Sequence, residues 1–191
     1  MLRVMLVDDS QEESSPLKEG LRQAGYDVVA TASTAAALLD RVAAIAPDVI
    51  IIDTDSPTRD TLEQLSFVTR EQPRPIVLFT DDRASETIQA SLRAGVSAYI
   101  VAGMQPDRLK PILDVAVARF EQEQALRVEL KDAHDKLAER KLVERAKGIL
   151  MRDKGVGEDE AFRMMRKLAM DRSRRLADVA QQIIDIAELG A

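Results

Sequence analysis

Five short apolar runs, each followed by a stretch of helical spacing, constrain this chain more than any other feature of it. The runs are Leu2 to Val7, Asp27 to Ala32, Asp48 to Ile52, Pro75 to Thr80 and Ser97 to Val101. The first is broken only by Arg3, and the runs do not alternate apolar with polar, which predicts strands covered on both faces. Between them, Leu17 to Ala24 forms a helix closed by Gly25. The next helix is capped by Thr34, turns Ala35, Leu38, Leu39, Val42 and Ile45 inward, and ends at Pro47. Further helices cover Thr61 to Val68 and Ala84 to Ala94, with Gly95 as the stop, and a last one starts at Asp107 with Pro111 in its first turn. Strand and helix alternating in this way predict an α/β unit over residues 1–120, a doubly wound parallel sheet of five strands.

In such sheets a ligand site lies outside the carboxyl ends of the strands. Asp8, Asp9, Asp53 and Thr80 all fall at such ends. Converging carboxylates repel one another unless a hard cation screens them, and oxygen ligands suit Mg²⁺. A carboxylate beside Mg²⁺ can attack a phosphoryl donor, and the Thr80 hydroxyl could then bond the new phosphoryl oxygens.

The segments VDDS, IIIDTDSP and LFT resemble a response-regulator receiver domain with a flavodoxin-like fold. The resemblance implies that Asp8 and Asp9 hold Mg²⁺ with Asp53, that Asp53 accepts phosphate from a histidine kinase, and that Thr80 is the switch residue. One position departs from the family: Ala102 stands where a Lys normally grips the phosphoryl group. That removes a charge-assisted hydrogen bond of about 1.5–3 kcal/mol, and Asp81 and Asp82 add negative charge nearby. Phosphorylation of Asp53 is therefore an implied possibility rather than an assigned switch.

After Phe120 no Gly or Pro appears until Gly148, and the stretch is rich in Glu, Gln, Lys, Leu and Ala. One helix is expected to leave the first unit through a connector, residues 112–142. Leu126, Leu130, Ala133 and Leu137 make a short heptad seam that allows a coiled coil and a homodimer. His134 is a surface or seam residue, since the chain has no second His to pair with it.

Residues 137–191 read as three short amphipathic helices packed in a bundle. Leu142, Val143, Ala146, Ile149 and Leu150 face inward from the first. Gly155-Val156-Gly157 breaks that helix, and Glu158, Asp159 and Glu160 open the second. Asp171 or Ser173 caps the third. Met151, Met164, Met165 and Met170 are expected to fill core. Glu139 to Leu176 holds twelve Lys and Arg against seven Asp and Glu, a local +5 within a chain of net −6. A basic knot on an acidic chain suits an anionic partner, although it also suits a solvated helical surface.

KLVERAKGILM and EDEAFRMMRKLAMDRSRRLADVA resemble the ANTAR domain of the AmiR/NasT family of transcription antiterminators, and within it the nitrate- and nitrite-regulating NasT branch. The resemblance implies binding of paired leader-RNA hairpins with hexanucleotide loops, which keeps a downstream terminator from forming. It also implies restraint by a nitrate-sensing partner protein. Carried onto this chain, the RNA-binding residues are Arg145, Ala146, Lys147 and Gly148 on the first helix and Arg166, Lys167 and Ala169 on the second. Arg172, Arg174 and Arg175 are expected at phosphates, and Ala161 in helix packing.

The competing readings are a DNA-binding response regulator and a protein-binding output domain. No helix-turn-helix pattern favours the first. Aromatic residues make up only 3% of the chain, which argues against base stacking on aromatic platforms as the main binding mode. No cysteine and one His exclude thiolate catalysis and the usual His-based triads and metal clusters, and no enzyme activity is expected. The N-terminal run ends in acids, unlike a signal peptide, and no apolar run approaches the roughly 20 residues needed to cross a membrane. A cytoplasmic location follows as the expectation.

Overall fold

The structure, a computed structural model, describes residues 1–8, 16–101 and 106–189. It divides into two compact units, Met1–Gln124 and Ala125–Ala191. The first contains β1 (Arg3–Asp8), α1 (Pro16–Gln23), β2 (Asp27–Ala32), α2 (Leu38–Ile45), β3 (Val49–Asp53), α3 (Arg59–Glu71), β4 (Ile76–Thr80), α4 (Ser85–Arg93) and β5 (Ala98–Val101). All strand pairs are parallel, in the order β2-β1-β3-β4-β5. This is the doubly wound parallel sheet expected from the alternation of runs, in the flavodoxin-like order that the receiver resemblance implies.

The apolar strands feed two cores. Met5, Val7, Ile50, Ile52, Ile76 and Leu78 meet Leu38 and Val42 of α2 and Leu65 and Val68 of α3. Val4, Leu6, Val49, Ile51, Val77 and Phe79 meet Leu17 and Leu21 of α1 and Leu109, Leu113 and Ala116 farther along the chain. Strand alternation separates the two sets, and helices cover both. Burial on both faces holds for β1, β3 and β4 but not for the sheet edges, where most of β2 and all of β5 are only half-buried or exposed.

Two helix starts differ from expectation. Thr34 does not cap α2. Its hydroxyl accepts from the Ala36 amide in a local turn, and α2 opens only after Ala37, in a left-handed conformation at φ 54°. Nothing in an Ala-Ala-Ala stretch announces that turn. Pro111 lies in the second turn of its helix rather than the first, because α5 (Pro106–Lys154) begins at Pro106, one residue before the expected start. Thr58 caps α3, accepting from the Thr61 amide at 3.2 Å.

Gly95 ends α4 at φ +95°, and a methyl group there would collide with the Thr69 side chain. Gly95→Ala is therefore expected to destabilise the first unit by more than the roughly 1–2 kcal/mol of the left-handed conformation alone. Urea denaturation of the full chain measures it.

The second unit contains the remainder of α5, then α6 (Glu158–Asp171) and α7 (Leu176–Leu189). Its core is Ala146, Met165, Ala180 and Ile184, flanked by Leu142, Val143, Ile149, Leu150, Leu176 and Ile183. Of the expected core methionines, Met165 is buried, but Met164 and Met170 lie on the surface of α6. Neither Asp171 nor Ser173 caps α7. Asp171 is the last residue of α6, and Ser173, at φ 50°, closes that helix while the Arg174 amide bonds back to the Ala169 carbonyl. That is a left-handed C-terminal cap, with Ser in a place where Gly is usual.

Candidate nucleic-acid interface and acid pocket

At the carboxyl edge of the sheet, Asp8 and Asp53 end adjacent strands and are register partners. Strand alternation carries both onto the face of Leu6 and Ile51, and it carries Thr80 onto the other. The Thr80 hydroxyl donates to the Asp55 carbonyl at 2.7 Å and accepts from the Asp82 amide at 3.2 Å. Asp8 and Thr80 are buried, whereas Asp53 is only partly buried.

Asp82 does more than add charge here. Its carboxylate accepts from the Ser56 hydroxyl at 2.6 Å and from the Ala84 amide at 2.8 Å, and its carbonyl accepts from the Tyr99 hydroxyl. The Ser56 and Ala84 bonds hold the Asp82 carboxyl below the usual carboxylate range. Burial, and then the Asp82 charge, push the Tyr99 phenol up. Ser56 and Tyr99 were not distinguished by sequence reasoning, because their partners lie 26 and 17 residues away.

Asp9 and Ala102 lie outside the described residues. Among the described residues, no group of three His, Cys, Asp or Glu side chains gathers into a metal site. The pair Asp8 and Asp53 does offer oxygen donors on neighbouring strand tips, a donor chemistry that fits Mg²⁺.

In the second unit the expected RNA-binding residues separate into two groups. Ala146 and Ala169 are buried in helix packing, as is Ala161. Lys147 is also buried, its side chain only 10% exposed. Its ammonium lies 2.8 Å from Glu144 and 2.6 Å from Glu158, so it joins α5 to the start of α6. The hydrogen bonds that Lys147 donates to Glu144 and then to Glu158 hold its amine above its ordinary value, and the same bond to Glu158 holds that carboxyl below its own. The spacing of Glu144 and Lys147, three apart on one helix, was the available signal. Glu158 lies beyond the turn and gave none.

The other group faces solvent. Arg145 pairs with Glu188, and Arg172 reaches Gln182 at 3.4 Å. Arg175 is tied to Asp178 and Glu139, and these carboxylates raise its already high pKa, Asp178 foremost. Arg166, Lys167 and Arg174 are exposed and make no side-chain hydrogen bond or ion pair with any described residue. Gly148 is exposed in mid-helix, and nothing approaches the place of its missing methyl. A helical Gly costs about 0.5–1 kcal/mol relative to Ala, so packing does not account for it.

No helix among the described residues is long and apolar enough to cross a membrane. Residues 4–114 match the response regulator receiver domain family, and residues 131–184 match the ANTAR domain family. The chain is 32% identical over 183 residues to the transcriptional regulatory protein PdtaR of Mycobacterium tuberculosis, covering 96% of this chain and 89% of that protein. It is 34% identical over 80 residues to the nitrate regulatory protein of Klebsiella oxytoca, covering 42% of this chain and 20% of that one. The signal receiver domain of a modulated diguanylate cyclase from Desulfovibrio desulfuricans G20 shares the receiver fold, with a TM-score of 0.57 at 21% identity over 64% of this chain and 98% of that one. Two adjoining family matches, together with a relative that shares nearly the whole length, place this chain among the response regulators that carry a receiver followed by an ANTAR domain, the AmiR/NasT type.

Proposed function

We propose that this protein is a cytoplasmic transcription antiterminator. Its second unit binds paired hairpins in a leader RNA and prevents a terminator from forming. The observation that carries this reading is that Arg166, Lys167 and Arg174, inside an ANTAR-matched bundle, are exposed and have no partner among the described residues. Cations left unpaired on a folded surface are available to phosphates. Arg145, Arg172 and Arg175 can join them only by exchanging their present partners, and Gly148 leaves room for close approach of a backbone. Lys147, Ala146 and Ala169 serve by holding the bundle together. The likeness to the Klebsiella nitrate regulatory protein supports a role in nitrate or nitrite assimilation.

The receiver supplies regulation. Asp53 is the phosphoacceptor and Thr80 the switch residue, with a histidine kinase or a nitrate-sensing protein as partner. Asp8, Asp9 and Asp53 would hold Mg²⁺, which when bound screens the carboxylates and the incoming phosphoryl charge. Thr80 must give up its bond to Asp55 before it can serve a phosphoryl group. The exposed stripe Leu126, Leu130 and Leu137 on α5 supports a homodimer.

The test is equilibrium binding of the full chain to a two-hairpin leader RNA, at fixed salt, with duplex DNA of equal length as competitor. RNA binding that duplex DNA does not displace is expected. Equal displacement by the duplex moves the reading to DNA. No binding to either, with or without phosphate on Asp53, moves it to a protein partner.

A further inference from the structure

Beside the unpartnered cations, α6 lines an apolar groove of about 300 Å³ against α5 and α7. Leu150, Met164, Met165, Leu168 and Ile183 line it, and Lys167 and Asp171 are its charged lining residues. Met164 is 38% exposed, so the groove is not a closed core void. Met164, Lys167 and Asp171 follow one another at helical spacing along a single stripe of α6.

Stability does not explain Asp171. It stands in the last turn of α6, where the helix dipole disfavours an anion, and that turn holds no basic residue. Its carboxylate has no hydrogen bond or ion pair with any described residue, and Lys167, one turn earlier, has none either. Opposite charges left apart in the lining of an apolar slot suit a flat ligand with a polar edge and a neighbouring anion.

An unpaired nucleotide has those features. Its base offers two faces to thioether and aliphatic side chains, a Watson–Crick edge to a hydrogen-bonding group, and a phosphate to a cation. Methionine packs well on aromatic faces and adapts its shape, and in a groove without Phe, Tyr or Trp it is the natural platform. A carboxylate only accepts hydrogen bonds. Guanine presents two adjacent donors on its Watson–Crick edge, whereas adenine, cytosine and uracil present donors on one atom only. Building on the RNA reading above, we propose that this groove receives one unpaired base of the bound hairpin, that Asp171 selects guanine there, and that Lys167 holds the adjoining phosphate.

The probe is a pool of two-hairpin RNAs with randomised hexanucleotide loops, offered to the full chain, with the bound fraction sequenced. Wild type is expected to enrich guanine at one loop position. Asp171→Asn is expected to reduce that preference about tenfold, in line with a base contact of 1–3 kcal/mol. Met164→Glu, which places an anion in the lining, should weaken binding of the selected RNA about tenfold. Thermal unfolding of both variants checks their fold. If wild type selects no RNA, the RNA reading fails and the groove assignment with it. If wild type selects RNA but Asp171→Asn keeps the same loop preference, the groove assignment alone is overturned. It is also overturned if Met164→Glu changes only the oligomeric state, since a second copy of the chain would then be the groove's occupant.

Discussion

A protein carrying Arg166→Glu and Lys167→Glu is expected to bind a two-hairpin leader RNA about a hundredfold more weakly than wild type, while unfolding at the same temperature. Both side chains are exposed and neither has a partner among the described residues, so reversing them breaks nothing inside the fold. Each hydrogen bond to a charged group contributes about 1.5–3 kcal/mol, and two at the low end give roughly a hundredfold. The slope of log affinity against log salt should also fall by about 1.5–2, since two phosphate contacts release fewer counterions when lost. Arg175 is the internal comparison. Asp178 and Glu139 already occupy it, so Arg175→Gln should change the salt slope less. Unaltered affinity and slope in the double variant would remove the exposed cations of α6 from the interface.

That choice of residues differs from what charge alone suggests, and the difference shows where the chain was readable. β1, β3 and β4 were legible because burial on both faces leaves an uninterrupted apolar run, and the acids that end β1 and β3 stand out against it. α6 and its acidic first turn were legible because Gly155, at φ +65°, and Gly157 punctuate the chain before it. The start of α2 was not, since a left-handed Ala37 has no sequence signature. Within the basic knot, sequence could count charges but could not pair them. Lys147 and Lys167 look alike in a composition, yet one is enclosed by two carboxylates and the other is not. The pairing of Lys147 with Glu158 crosses a turn and is a property of the packed bundle. The groove under Met164 was hidden for the same reason: helical spacing marks Met165 and Leu168 as inward, but it does not say that the wall between three helices stays open.

Lys147→Glu is expected to cost the second unit its fold, whereas Lys147→Met should leave it folded. In wild type the ammonium is nearly enclosed, with its side chain 10% exposed, but Glu144 and Glu158 keep 56% and 67% of theirs in water. A Met at 147 therefore strands no buried charge, since both carboxylates can be solvated where they stand, and its chain fills the same slot. A Glu there brings a third carboxylate into a poorly solvated position between two others, with no cation to screen it. Hydrogen exchange resolved by residue separates the cases. In Lys147→Glu the amides of α6 and α7 should lose protection while those of β1, β3 and β4 keep theirs, and Lys147→Met should resemble wild type. The same pair sets a pH window. Glu158 titrates below its unfolded value, so its contribution is present above about pH 4.3 and is lost as the pH falls through the depressed value. Lys147 titrates above its unfolded value, so its contribution is present below about pH 10.4 and is lost as the pH rises through the raised one. The melting temperature of the second unit should fall on both flanks, and both declines should flatten in Lys147→Met. Flanks of equal steepness in the two proteins would mean that the Lys147 pairs, though short, are screened too well by solvent to stabilise the bundle.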